Sequence, residues 1–262
     1  LLAEKVGLIA GGGRIPFLIA ERAAGRGHGV FIAALRGQAA QELRSLAEEF
    51  AWVGLAQVGR MIDFFKRHGV RQAIFAGTVA KSEMYSPLKF LRNPPDLRSV
   101  KLWYQKLRDR KDVTILSVVA DEFGREGIEI VSGLKYLSDC LTPAGTLTKR
   151  APDRREMEDI EFGWRIARAI AEQDVGQSVV VKDRAVVAVE AMEGTDETIR
   201  RGGKLAQGGA VLVKFSRPRQ DPRFDIPAAG PDTVEACAAA GVSVISLEAG
   251  RTLLLDKERM IA

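Results

Sequence analysis

The feature that most constrains this chain is its opening: Val6-Gly7-Leu8-Ile9-Ala10, then Gly11-Gly12-Gly13, then an apolar helical pattern from Ile15 to Ala24 with Pro16 in its first turn. A short aliphatic run reads as a buried strand, the glycines as a tight turn, and an early proline as a helix start. Strand, turn and helix in that order make a βα unit, which commits the next strand to lie parallel to the first. That strand is legible at Val30 to Leu35. A helix is expected over Gln38 to Glu49, a strand at Ala51 to Leu55, a helix from Gly59 to His68 and a strand at Ala73 to Gly77. Past Pro87 to Asp112, broken by Asn93-Pro94-Pro95, come a helix at Thr114 to Glu126 and a strand at Ile128 to Val131.

Leu141 to Pro152, with Thr142-Pro143-Ala144-Gly145 and Ala151-Pro152-Asp153, is rich in breakers, lacks an apolar period and reads as the linker. The expected domains are 1–140, Rossmann-like, and 141–262, a catalytic mixed α/β domain. The second half predicts a long helix at Arg155 to Glu172, strands at Ser178 to Lys182 and Ala185 to Glu190, and a helix at Thr195 to Leu205. A strand at Ala210 to Phe215, a loop from Ser216 to Pro231, a helix at Thr233 to Ala240 and two short strands around Val244 and Leu254 complete it. The fold class expected is therefore α/β, an N-terminal parallel-sheet domain plus a C-terminal mixed α/β domain.

Composition excludes several chemistries. With 46% hydrophobic and 28% charged residues the chain is an ordinary globular one, not a disordered one. Two cysteines, Cys140 and Cys237, cannot form a disulfide framework, and no run approaches the roughly 18 apolar residues of a spanning helix. The start lacks a secretion-signal pattern, so a cytoplasmic location is expected, with any membrane contact peripheral. There are 2 histidines, His28 and His68, each in a basic helix-end context, and no HExxH or CxxC. Histidine-rich metal centres are thereby excluded. The net charge of +5 suits an anionic ligand without proving nucleic-acid binding.

Four stretches carry residues suited to chemistry. Gly11, Gly12 and Gly13 lie where backbone N–H groups at a helix start can hold a phosphate. A dinucleotide fingerprint would want a third glycine where Pro16 stands and a carboxylate near Leu35-Arg36, so a nicotinamide cofactor is disfavoured. Gly77, Thr78 and Lys81 follow the fourth strand, at the carboxyl edge where open parallel sheets place ligands. From Lys81 to Lys111, 9 basic residues stand against 3 acids, interleaved with Phe90, Leu91, Trp103 and Tyr104, a mixture that suits an anionic lipid or a membrane surface. RNA would fit the same charge but needs no acidic loop. In Lys214 and Arg217-Pro218-Arg219-Gln220-Asp221-Pro222-Arg223-Phe224-Asp225-Ile226-Pro227, two carboxylates among cations could hold a hard cation while Lys214 and Arg219 neutralise phosphate oxygens. The alternative for that loop is local ion pairing by Arg223. A second acidic group gathers Glu190, Glu193 and Asp196, with Thr195 or Asp196 also suited to capping the next helix.

Gly7 to Gly13, Phe75-Ala76-Gly77, Ala188-Val189-Glu190-Ala191-Met192-Glu193-Gly194-Thr195-Asp196 and Gln220 to Pro227, in this order, resemble the bacterial UDP-2,3-diacylglucosamine pyrophosphatases of the lipid A pathway, of the type unrelated to the His-rich metallophosphatases. Val58-Gly59-Arg60-Met61-Ile62-Asp63 and Arg110-Lys111-Asp112 are also similar. The resemblance runs nearly end to end. It implies a two-domain protein that encloses a glycolipid nucleotide and hydrolyses its pyrophosphate with Mg²⁺, giving UMP and 2,3-diacylglucosamine 1-phosphate. Asp225 matches the family's essential aspartate. Asp221 matches a position that is acidic in relatives; the roles expected from the chemistry of these residues are catalysis by Asp225, Asp221, Lys214 and Arg219, and metal binding by Asp225 with Asp221 or Glu190. The glycines, Thr78, Lys81, Gln220, Glu193 and Thr195 are assigned to substrate. Asp112-Val113 departs from the paired aspartates expected there. Contact with the inner membrane surface is expected, nucleic acid is not, and a homodimer is implied only through the resemblance. A nucleotide-sugar or lipid-binding protein without turnover is the alternative.

Overall fold

The computed structural model describes residues 4–79, 94–106, 112–217, 221–224 and 226–261, with backbone alone at 103–106 and 112–113. The chain divides into two compact units: residues 1–138 with 221–225, and residues 139–220 with 226–262.

The first unit is built on five parallel strands. In chain order its elements are β1 (Lys5–Ala10), α1 (Ile15–Gly25), β2 (Gly29–Leu35), a 3-10 turn (Gln41–Leu46), β3 (Glu49–Val53), α2 (Val58–Arg67), β4 (Gln72–Ala76), α3 (Leu97–Lys106), α4 (Asp112–Arg125), β5 (Glu129–Ile130) and the single turn α5 (Leu134–Leu137). The strand order is β3-β2-β1-β4-β5, all parallel. The expected parallel-sheet fold is present. β1 pairs with β2 on one side and β4 on the other, so their carboxyl ends form the switch point where the winding reverses. Helix was expected over Gln38 to Glu49, but only the 3-10 turn forms there: its periodic core narrows to Leu43, and Glu49 already begins β3.

Both faces of this sheet are covered. Ile9, Phe31, Ala33 and Ala73 pack with Met61, Ile62 and Phe65 of α2 and with Phe123 of α4. On the opposite face Gly133, just past β5, lies close to Ile19 of α1 and Ile74 of β4. Phe224, far along the sequence, joins the α2/α4 face, its ring 6.1 Å from that of Phe75 at 62°. His68 caps the C-terminal end of α2, as its sequence context suggested.

The second unit contains α6 (Arg154–Glu172), β6 (Ser178–Lys182), β7 (Ala185–Val189), α7 (Thr195–Ala206), β8 (Ala210–Lys214), β9 (Ala228–Ala229), α8 (Pro231–Ala239), β10 (Val242–Leu247), β11 (Leu253–Leu254) and α9 (Lys257–Ile261). Its main sheet has the order β10-β8-β6-β7, with β10 and β8 parallel and the other pairs antiparallel. This is the mixed arrangement expected of the second half. α6 begins with a capping box: Asp153 accepts from the Glu156 N–H, and the Glu156 carboxylate accepts from the Asp153 N–H. The β6–β7 turn places Asp183 and Arg184 at positive φ, and the buried Asp159 carboxylate accepts both of their N–H groups. That explains Lys182-Asp183-Arg184 as a tight hairpin turn. Among the described residues no helix is long and apolar enough to cross a membrane.

Candidate functional site

In the second unit three strand ends meet beside one helix start. Lys214, the last residue of β8, lies opposite Ser178, the first of β6. Glu190, just past the end of β7, donates its N–H to the Ser178 carbonyl at 2.9 Å. Directly opposite positions in antiparallel strands put their side chains on one face, so the chain brings an ammonium, a hydroxyl and a carboxylate together. Gly194, at φ 85°, then turns the backbone into α7, whose first residue is Thr195. A side chain at Gly194 would strain this turn, because the left-handed region is open chiefly to glycine.

Thr195 joins the charges. Lys214 Nζ donates to Thr195 Oγ1 at 3.1 Å, and the hydroxyl donates to Glu190 Oε1 at 3.1 Å. Lys214 is 5% exposed and Glu190 7%. Glu190 Oε2 and the Ser178 hydroxyl are buried and take no partner among the described residues. Lys214 and the first turn of α7 line an open cleft of about 460 Å³, with Arg200 and Thr233 also on its wall. A helix N-terminus with a buried lysine beside it favours an anion with phosphate-type oxygens. Asp196 and Glu197 on the rim oppose it, although Glu197 is paired with Arg200. Glu193 also lines the cleft, where it accepts from the Ala191 N–H and pairs with Arg201 at 2.7 Å. Its carboxyl lies below the usual range, chiefly through a hydrogen bond from its own backbone N–H.

The other sequence candidates fall elsewhere. Gly11 N–H donates to the Ala76 carbonyl, Gly12 N–H to that of Thr78, and Thr78 N–H back to that of Gly12, at 2.8, 2.8 and 2.9 Å. Two of the amides expected to hold a phosphate are therefore committed to joining the loops after β1 and β4. A Cβ at Gly11 would stand 2.5 Å from the Thr78 carbonyl oxygen, and Gly77 sits at φ 86° with a Cβ that would strike the Gly12 carbonyl. Close approach of the two loops explains these glycines. Gly13 follows, ahead of α1, with Pro16 in the helix's first turn.

Asp221 belongs to the first unit. Its Oδ1 accepts from the Arg223 N–H and Nε, and its Oδ2 from Arg223 Nη2 at 2.6 Å. The Arg223 guanidinium holds the Asp221 carboxyl below the usual range. This is the local ion pair that the sequence left as an alternative. Asp225, Arg219, Gln220 and Lys81 lie outside the described residues, as does most of the basic segment. Arg200 went unnoticed in the sequence, although it stands four residues past Asp196 and shares its helix face. Ser178 offered no signal, since a serine opening a strand is unremarkable.

The described carboxylates do not fit a Mg²⁺ cage. No group of three His, Cys, Asp or Glu side chains clusters among the described residues. Asp221 is held by Arg223, and Glu190 is buried behind a hydroxyl that already carries the Lys214 ammonium.

Fold and site first define a class, an α/β protein in two units with an open polar cleft in the second. Residues 5–140 match the model of the LpxI N-terminal domain and residues 143–262 that of the LpxI C-terminal domain. A UDP-2,3-diacylglucosamine pyrophosphatase LpxI from Caulobacter vibrioides is 34% identical over 269 residues, covering 99% of this chain and 93% of that one. The chain belongs to the LpxI family. A bifunctional purine biosynthesis protein PurH from a Thermoanaerobacter species is 29% identical over 104 residues, 38% of this chain and 18% of that one. The biotin carboxylase subunit of pyruvate carboxylase superposes with a TM-score of 0.30 and 11% identity, over 79% of this chain and 42% of its own length. A likeness that weak bears on neither fold nor function.

Proposed function

We propose that this protein hydrolyses the pyrophosphate of UDP-2,3-diacylglucosamine to UMP and 2,3-diacylglucosamine 1-phosphate, a step toward lipid A. The observation that carries this reading is the 34% identity over 99% of the chain to a protein of that name. Water adds to one phosphorus and gives up a proton, the bridging P–O bond breaks, and its electron pair stays on the departing phosphate. Such a reaction needs charge neutralisation and alignment of the nucleophile more than covalent help.

The cleft of the second unit is suited to that work. Lys214 supplies a fixed positive charge at the mouth of α7, and the N–H groups of the helix's first turn add to it. Asp225, by its match to the family's essential aspartate, is assigned to the attacking water. When bound, Mg²⁺ would supply neutralisation of charge on the pyrophosphate. It is commonly held by one or two carboxylates with substrate phosphate oxygens, so a cage of described side chains is not required of it. The acyl chains bring the substrate from a membrane surface, and peripheral contact there belongs to the same reading.

The test is release of UMP from UDP-2,3-diacylglucosamine in detergent, with Mg²⁺ and with EDTA. Hydrolysis that falls at least tenfold in EDTA and returns with Mg²⁺ supports both substrate and ion. Hydrolysis unchanged by EDTA removes Mg²⁺ and leaves the rest. Binding of the substrate with no UMP leaves a binding protein.

A further inference from the structure

We infer that Glu190 is a positioning residue that acts through Thr195 on Lys214, and not a metal ligand. This rests on the pyrophosphatase reading and specifies how its cationic group is aimed. A threonine hydroxyl has one proton. Because Thr195 gives that proton to Glu190 Oε1, its lone pairs face Lys214, and the ammonium donates to them at 3.1 Å. Remove the carboxylate and the hydroxyl is free to rotate its proton elsewhere, including toward the ammonium. The Lys214 donors then lose their fixed direction.

The carboxylate is not placed for stability. Glu190 is 7% exposed, and its Oε2 takes no partner among the described residues, beside a Ser178 hydroxyl that takes none. Leaving a buried polar atom unsatisfied costs about 1–3 kcal/mol, and an apolar residue at this strand end would avoid that cost. What the acid does supply is a negative charge one hydroxyl away from a buried cation. Through the Thr195 hydroxyl it directs the Lys214 ammonium while leaving the remaining ammonium protons for an anion in the cleft.

The experiment is a set of substitutions read in kcat and KM for UMP release, with binding of inorganic pyrophosphate followed by calorimetry. Glu190→Leu, which takes away the oxygen that accepts from Thr195, lowers kcat at least tenfold and leaves KM within about threefold, because orientation is lost while most substrate contacts remain. Thr195→Val does the same, and Thr195→Ser, which keeps the hydroxyl, recovers most of the rate. In a Lys214→Met background Glu190→Leu causes no further loss, since a residue that acts only through Lys214 has nothing left to direct. Three results overturn the proposal: full activity in Glu190→Leu, a Glu190→Leu effect that persists without Lys214, or rescue of Glu190→Leu by excess Mg²⁺, which would make Glu190 a metal ligand. A wild-type protein that releases no UMP defeats the pyrophosphatase reading instead. Pyrophosphate binding then decides the positioning role: weakening in both Glu190→Leu and Lys214→Met sustains it, and wild-type binding in Glu190→Leu ends it.

Discussion

Lys214 and Thr195 meet at 3.1 Å across the cleft of the second unit, one from a strand end and one from a helix start. A lysine buried to 5% exposure carries a desolvation cost of several kcal/mol unless partners or function repay it. Its described hydrogen bond is to a neutral hydroxyl, and its neighbour on the wall is the open N-terminal turn of α7. A cation kept there without a direct carboxylate partner among the described residues is available to a ligand.

Lys214→Met is accordingly expected to lower kcat about a hundredfold or more, the scale seen when one preorganised charge or donor is removed. Methionine fills similar space, so the thermal unfolding transition should stay cooperative. Steady-state UMP release on folded protein is the check, and a loss smaller than threefold would take Lys214 out of the chemistry.

Asp225→Asn tests the aspartate assigned by its match to the family. The amide keeps size and shape but cannot carry the charge, so turnover should fall at least a hundredfold, about 2.7 kcal/mol in the barrier. Substrate should still bind in an equilibrium assay with labelled glycolipid. Retention of activity within tenfold would move the acid to another residue.

Acid stability should report on the start of α6. Hydrogen bonding from Arg150, helped by the Asp153 N–H and Ser243, lowers the Glu156 carboxyl to about 2 from an ordinary 4.5. A depressed folded-state value stabilises the fold above the unfolded value, and that contribution is lost as pH falls through the folded one. Wild type should therefore lose this contribution between about pH 4.5 and pH 2. Glu156→Gln can still take part in the capping box but does not titrate, so its urea midpoint should fall less steeply over that window. Parallel curves for the two proteins would show that Glu156 is not linked to folding.

Phe224→Ala should destabilise the first unit by about 2 kcal/mol, less than for a fully buried ring because Phe224 is only half-buried. The ring packs against the α2/α4 face, and Ser132 Oγ donates to the neighbouring Pro222 carbonyl at 2.8 Å. Urea unfolding followed by fluorescence is the measurement. A change under 0.5 kcal/mol would mean the ring contributes little, a threshold set by ordinary surface substitutions.

The parallel sheet was legible because its strands are continuous aliphatic runs separated by glycine turns and amphipathic helices, and Gly7-Leu8-Ile9-Ala10 needs little else to be read. The 3-10 turn at Gln41–Leu46 was not, since Leu43 alone buries there and a lone apolar residue has no period. β9 at Ala228–Ala229 was hidden in a proline-rich loop, because two alanines carry no strand signal. At the site, Glu190, Thr195 and Lys214 were each singled out. Their connection was hidden because it depends on strand register, which pairs residues 36 apart at Ser178 and Lys214. Gly11 and Gly77 are also demanded by local packing, a requirement that the sequence does not separate from phosphate binding. Asp221 carries the same ambiguity: a carboxylate two residues before an arginine reads as a ligand or as that arginine's partner, and the guanidinium does fold back on it.

The assignment of residues 221–225 to the first unit has a consequence for how this chain can be divided. A fragment ending at residue 140 would be a continuous gene segment yet an incomplete body, since Phe75 and its neighbours would face solvent where Phe224 now covers them. Supplying residues 141–262 as a separate polypeptide would turn that covering from an intramolecular event into a bimolecular one, with an association cost that the intact chain avoids. The two halves are therefore expected to need co-expression or a covalent tether. A permuted gene would keep each body whole only if its new ends avoid the short excursion that carries Phe224.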